Sequence, residues 1–343
     1  MKKLLNVLYV STPDSYLHLD GENLVISVEG KERFRIPAHN LESIVCFGYL
    51  GASPALMGHC AKHGIGLSFV SPYGKFLARV SGGVTGNVLL RKEQYRISDS
   101  PQSCVAIAKN FIVSKFINSR VVLERCIRDH FDNVNTDLLK EASRYLRTRA
   151  VELQQCESLD EIRGYEGDCA RVYFSSFNEL ILHQKDEFYM QGRNKRPPLD
   201  KLNAMLSFLY TILAHDIQSA LETVGLDPFV GFLHRDRPGR PSLALDIMEE
   251  FRAYMVDRLV VSIINRKQIT GVGFSIKESG GVMMDDETRK ELLTAWQKRK
   301  QDKITHPFLN EKIEIGLLPY IQALLFARFL RGDIESYPPF LWK

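Results

Sequence analysis

The chain has no strong bias of charge: 45 Lys and Arg against 41 Asp and Glu leave a formal net charge of +4 over 343 residues. That excludes a histone-like polycation, and any nucleic-acid partner must be argued from local patches. Long apolar runs are missing too, none approaching the ~18 residues a membrane span needs. The six cysteines, at 46, 60, 104, 126, 156 and 169, show neither the two-residue gap of a zinc knuckle or redox motif nor the spacing of a disulfide framework. Buried, reduced thiols in a reducing cytoplasm are expected. There is no repeat of solenoid period, no HExxH or paired-histidine spacing, and no G-x-S-x-G elbow, so a serine hydrolase is disfavoured. Met1-Lys2-Lys3 followed by Leu4–Val10 superficially suggests a secretory signal. Asn6 breaks the run and no small-residue cleavage site follows, so a first β-strand of a soluble, cytoplasmic protein is expected instead.

What is present is an ordinary globular composition, 45 % apolar and 25 % charged, in a chain long enough for two or three domains. Residues 1–83 are expected as a β-rich domain. Short segments such as Tyr16–Leu19, Leu24–Val28, Phe34–Ile36, Ser43–Phe47, Leu67–Val70 and Phe76–Val80 are separated by Gly, Asn, Asp or Pro turn signals. One helix interrupts them, with Ser53 as N-cap, Pro54 at the first helical position and Gly64 past the end. Ser81-Gly82-Gly83 punctuates the chain, and 84–100 is expected as a linker. From 101 to 343 the apolar period is helical, with stretches near 101–130, 136–154, 158–184, 199–224, 242–265, 286–302 and 311–331 and a hairpin around Glu278-Ser279-Gly280. The fold class is therefore α+β: a small N-terminal β-sandwich-like domain, then a larger all-α domain.

Three segments could carry chemistry. In the first, Gly231-Phe232-Leu233-His234 leads through Arg235, Arg237 and Arg240 into a helix bearing Asp246, Glu249 and Glu250. At ~100° per residue those carboxylates span about 100° of helix surface, so two or three can face one point. Histidine with carboxylates suits Mg²⁺ or Mn²⁺, which would polarise a phosphate; the competing reading is a solvated acidic face. His234-Arg235-Asp236 is not a kinase loop, because Pro241 stands where that motif needs Asn. The second segment is Gly164-Tyr165-Glu166-Gly167, where Glu166 is either a site residue or a helix-dipole partner. The third is basic, with Lys185, Arg193, Lys195 and Arg196 before Pro197-Pro198, the kind of charge that holds phosphates.

In order and spacing these segments resemble the CRISPR adaptation integrase, the metal-dependent endonuclease subunit Cas-one. The similarity runs through Gly164–Gly167, Ala170-Arg171, Tyr173-Phe174, Arg193–Pro198, Asn203–Tyr210, Gly225–Pro228, Gly231–His234 and Ser242–Arg252, with a flavour of the I-C subtype. The resemblance implies catalytic residues Glu166, His234, Glu249 and Asp246. It implies metal ligands Glu166, His234 and Glu249, with Asp246 as a supporting carboxylate and Glu250 next to the third ligand. The expected cofactor is Mg²⁺ or Mn²⁺. DNA would be positioned by Lys185, Arg193, Lys195, Arg196, Arg235, Arg237 and Arg240. It also implies a homodimer paired through the β domain, catalysis in the helical domain, and a complex with the small partner Cas-two. The expected activity is insertion of short foreign DNA segments into a repeat array by transesterification. The alternatives are a structure-selective repair nuclease acting on branched DNA and a non-enzymatic nucleic-acid scaffold. The tail Tyr337–Lys343 is expected either as a partner-docking segment or as a strand of chain folded onto its own helices.

Overall fold

The structure is a computed structural model and describes residues 7–48, 50–71, 76–80, 88–194 and 197–342. The Ser81-Gly82-Gly83 boundary and the basic residues Lys195 and Arg196 lie outside the described residues. Its N-terminal part holds β1 (Val7–Val10), β2 (Ser15–Asp20), β3 (Asn23–Val28), β4 (Lys31–Pro37), β5 (Ser43–Phe47), β6 (Gly51–Ala52), α1 (Pro54–His63), β7 (Gly66–Val70) and β8 (Phe76–Val80). They form two four-stranded sheets, ordered β1-β5-β7-β8 and β4-β3-β2-β6. Between β3 and β4 the chain turns on Glu29 (φ 52°) and Gly30 (φ 74°), the two left-handed residues a tight hairpin demands. Helix α1 starts and stops as its sequence signals predict, on the Ser53 cap and on Gly64 at φ 68°.

The sandwich expectation holds, with one feature that turn signals do not encode. β1, β5 and β7 run parallel. Strand β5 is buried on both faces, as parallel strands are. Ile44 and Cys46 join the core between the sheets, while Val45 and Phe47 join the core of the helical part. Phe47 stacks on Phe208 at 5.6 Å, and Arg79 pairs with Glu222 at 2.7 Å, so the two parts share an apolar and polar seam.

The helical part comprises α2 (Val88–Ser98), α3 (Pro101–Asp129), α4 (Thr136–Glu152), α5 (Leu159–Ser175), α6 (Lys201–Val224), α7 (Ser242–Met248), α8 (Arg258–Asn265), α9 (Asp286–Gln301) and α10 (Leu318–Leu330). The expected hairpin is β9 (Phe274–Ile276) with β10 (Val282–Met284). A second pairs β11 (Lys303–Thr305) with β12 (Lys312–Glu314), and β12 occupies the start of the stretch expected as the last helix. The expected linker 84–100 contains α2, a packed element: Gln94 is buried and exchanges three hydrogen bonds with the backbone of Asp227 and Val230. The expected helix 242–265 is broken, because residues Arg252–Asp257 wind as a π-helix between α7 and α8. Such bulges re-aim side chains and are frequent at functional sites.

All six cysteines are free and buried. Among the described residues no helix is long and apolar enough to cross a membrane. The tail takes the second of its two readings: Tyr337 and Phe340 are buried in the main core, and Asn118 holds the backbone of Phe340 and Trp342.

Candidate active site

Asp246 in α7 is fully buried, a costly place for a carboxylate unless its lone pairs are matched. They are. One oxygen accepts the backbone N–H of Phe232 (2.6 Å) and Leu233 (3.0 Å). The other accepts the His234 N–H (3.0 Å) and its ring Nδ1 (2.6 Å). A carboxylate only accepts, so Nδ1 donates and, in the neutral ring, the lone pair sits on Nε2. The loop can approach this closely because residue 231 is glycine. A Cβ there would stand 2.7 Å from Ser242 Cβ and 2.8 Å from Asp246 Oδ2. Arg163 of α5 ties the loop from its other side, donating to the Leu233 carbonyl at 3.0 and 2.6 Å. Asp246 is thus a positioning residue for His234, and among the described residues it does not face the cavity that His234 lines.

That cavity, about 980 Å³, lies between α3, α5, the His234 loop and the π-helical turn. Glu166 of α5 and Glu249 at the end of α7 both reach its wall, and one ammonium joins them. Lys115 of α3 contacts Glu166 and lies 2.8 Å from Glu249 Oε2. Arg252 lies 3.0 Å from the same Glu249 oxygen. These contacts are close but poorly directed, so buried Glu249 Oε2 and Arg252 Nε lack a hydrogen-bond partner. Burial alone would raise the Glu249 carboxyl; Arg252, Lys115 and His234 outweigh it and hold it well below the usual carboxylate range. Burial likewise opposes charge on Lys115, and Glu249 and Glu166 overcome it.

The three carboxylates of the α7 segment therefore do not face one point. Asp246 turns to the loop and Glu249 to the cavity. Glu250 turns into the core, where it accepts Tyr337 Oη (2.6 Å), the Phe340 N–H (2.7 Å) and Gln322 Nε2 (2.9 Å). The helical projection fails because Glu249 already lies past the last residue of α7, and the backbone changes pitch beyond it.

The basic residues divide. Arg235, Arg237 and Arg240 line the cavity with Arg163 and Arg171. Arg235 also reaches across to Asp160 at 2.9 Å. Arg193 lines the cavity as well, but its guanidinium is committed inward, bonded to Asn203 (2.6 Å) and Ser207 (3.1 Å) and packed over Tyr210. Lys185 is exposed and, among the described residues, is not part of the cavity wall. The floor carries Asp257, which accepts Tyr210 Oη (2.5 Å) and Tyr173 Oη (3.1 Å); burial pushes its carboxyl up to about 6.

Sequence reasoning missed Lys115, Arg163, Arg252 and Asp257. For Lys115 a signal existed: it falls at the 3- and 4-residue steps from Ile112 and Phe111, a lone cation on the apolar stripe of α3. Nothing local marks the other three.

Among the described residues, no three His, Cys, Asp or Glu side chains gather closely enough to form a ready metal cage. The donor chemistry nevertheless fits a hard divalent cation. Two carboxylates already converge on a single positive charge, one of their oxygens lacks a directed hydrogen bond, and a nearby histidine has its distal nitrogen oriented by a carboxylate.

Residues 8–298 match the family model described as CRISPR associated protein Cas1. The chain is 50 % identical over 343 residues to a CRISPR-associated endonuclease Cas1 of Chlorobaculum tepidum, covering all of both chains. Among solved structures, a casposase bound to its integration product superposes with a TM-score of 0.85 at 22 % identity, covering 98 % of this chain and 94 % of that one. A Cas6-RT-Cas1–Cas2 complex matches with a TM-score of 0.83 at 21 % identity, covering 100 % of this chain and 36 % of that one.

Proposed function

The chain belongs to the Cas1 family, and from that membership we propose that it is a metal-dependent DNA endonuclease and integrase. It inserts short DNA segments into a CRISPR repeat array by transesterification, at the cavity walled by Glu166, His234 and Glu249. The observation that carries this is the convergence of Glu166 and Glu249, from separate helices, on one cation beside His234 under a rim of arginines. Such convergence is not expected of a solvated acidic face.

Glu166, Glu249 and His234 Nε2 would hold Mg²⁺ or Mn²⁺, which neutralises charge on a phosphate and favours ionisation of an attacking hydroxyl. The chain's own groups do the rest. Arg235, Arg237 and Arg240 meet the DNA backbone as charged forks, fixing its register without reading bases. Asp246 keeps His234 in one tautomer. Lys185, Lys195 and Arg196 are proposed as further contacts for the DNA backbone. In the joining step a 3′-hydroxyl oxygen bonds to phosphorus as the bond to the leaving 3′-oxygen breaks, so one phosphodiester replaces another and no external energy source is needed.

The I-C subtype, a homodimer paired through the N-terminal sheets, a Cas2 partner and a cytoplasmic location complete the proposal. A Cas1–Cas2 assembly exists for a protein of the same fold, which supports the partner. The test is a repeat-containing plasmid incubated with a short duplex and Mn²⁺. Joined product is expected from the wild type and none from Glu166→Gln or His234→Ala. Hydrolysis of branched DNA without joining favours the repair-nuclease reading, and DNA binding indifferent to chelator without product favours the scaffold.

A further inference from the structure

The ammonium of Lys115 stands where two acidic side chains of the site meet. It contacts Glu166 and lies 2.8 Å from Glu249 Oε2, and it is 13 % exposed, on the cavity side. No other cation among the described residues pairs with both carboxylates, since Arg252 reaches Glu249 alone. The two cations also differ in freedom. Arg252 is wedged with its guanidinium 4.6 Å over the Tyr210 ring, whereas Lys115 ends a flexible four-carbon stem. A carboxylate pair brought together with no cation between them would repel, strongly so in a partly desolvated site.

We propose that Lys115 is an exchangeable placeholder: its ammonium holds Glu166 and Glu249 together before the divalent ion arrives, and leaves for the cavity when the ion binds. This rests on the metal-dependent reading above and adds to it a positioning residue with two stations. The first station keeps the acidic pair preassembled, so that metal binding need not organise it. The second follows from tether length and surroundings. The ammonium released from Glu166 and Glu249 remains on α3, beside a cavity rimmed by Arg163, Arg171 and Arg235, and joins that rim as a contact for a DNA phosphate. A divalent ion wins the exchange because it brings two charges against one and bonds carboxylate oxygens directly.

Two measurements on the full-length protein test this. The first is the Mn²⁺ dissociation constant, by titration calorimetry or by the electron paramagnetic resonance signal of free Mn²⁺. With its competitor removed, Lys115→Met binds Mn²⁺ about tenfold tighter or more than the wild type, as expected for a coupling of ordinary size. Lys115→Arg, which keeps a charge in place, binds no tighter than the wild type. The second needs no variant: acetylation of Lys115 by a water-soluble ester, quantified by peptide mass spectrometry, increases when Mn²⁺ is added to the wild type. Unchanged or weaker Mn²⁺ binding by folded Lys115→Met overturns the placeholder. So does Lys115 labelling that Mn²⁺ leaves unaltered, even if the methionine variant does not fold. Absence of any Mn²⁺ binding by the wild type overturns the metal-dependent reading together with this one. Mn²⁺ binding that Glu166→Gln abolishes but Lys115→Met does not strengthen overturns the placeholder alone.

Discussion

Asp246→Asn isolates one consequence of the site. The native carboxylate accepts four hydrogen bonds, two on each oxygen, from Phe232, Leu233, His234 N–H and His234 Nδ1. An asparagine keeps one acceptor oxygen. Its amide nitrogen must replace either the oxygen that serves the loop N–H groups or the one that serves His234. With the oxygen left on the loop, the nitrogen faces the His234 N–H and its ring, so the bond from the backbone N–H is lost outright and the ring bond survives only with its direction reversed. At roughly 1.5–3 kcal/mol for the lost charge-assisted bond, the cost is a sizeable part of a domain's usual margin. The nitrogen also donates toward Nδ1, which drives the proton to Nε2 and removes the lone pair offered to a metal. Mn²⁺ affinity then falls about 10–100-fold, the usual size for loss of an orienting carboxylate. Urea unfolding and strand joining, each compared with His234→Ala, make the assay. The histidine variant loses joining and, with the ring bond to buried Asp246 gone, roughly 1.5–3 kcal/mol of stability, and Asp246→Asn likewise loses both. An Asp246→Asn protein within about 1 kcal/mol of wild-type stability, joining DNA normally, would contradict the assigned role.

Three further outcomes are expected. Gly231→Ala forces a methyl between Ser242 Cβ and Asp246 Oδ2, costing about 1–3 kcal/mol and lowering joining through His234, as melting curves and the plasmid assay will read. Glu250 has its carboxyl raised by burial from 4.5 to about 7. As pH rises between those values, the unfolded chain gives up the proton while the folded one keeps it, so stability falls by about 3 kcal/mol. Glu250→Gln removes that decline, and parallel stability–pH curves for the two proteins would contradict it. Truncation after Ser336 removes buried Tyr337 and Phe340 and two donors to Glu250, costing more than about 5 kcal/mol in urea unfolding. A tail that served only to dock a partner would be removed with little loss.

Sequence alone determined the layout of strands followed by helices, because periodicity, caps and turn residues act over a few positions. Ser53-Pro54 with Gly64 opens and closes α1, Ser158 with Glu161 caps α5, and Gly225 ends α6. The segments around Glu166, His234 and Glu249 were also legible, through motif order and through punctuation inside helical sequence. Tertiary structure decided what each charged group does. Asp246, Glu249 and Glu250 are near neighbours in the chain, yet one orients a histidine, one faces the cavity and one anchors the tail. The π-helical turn, the parallel pairing of β1, β5 and β7, and the meeting of Lys115 with two distant carboxylates depend on partners remote along the chain. Local propensity carries no record of such partners; burial and charge balance select them only once the core has closed.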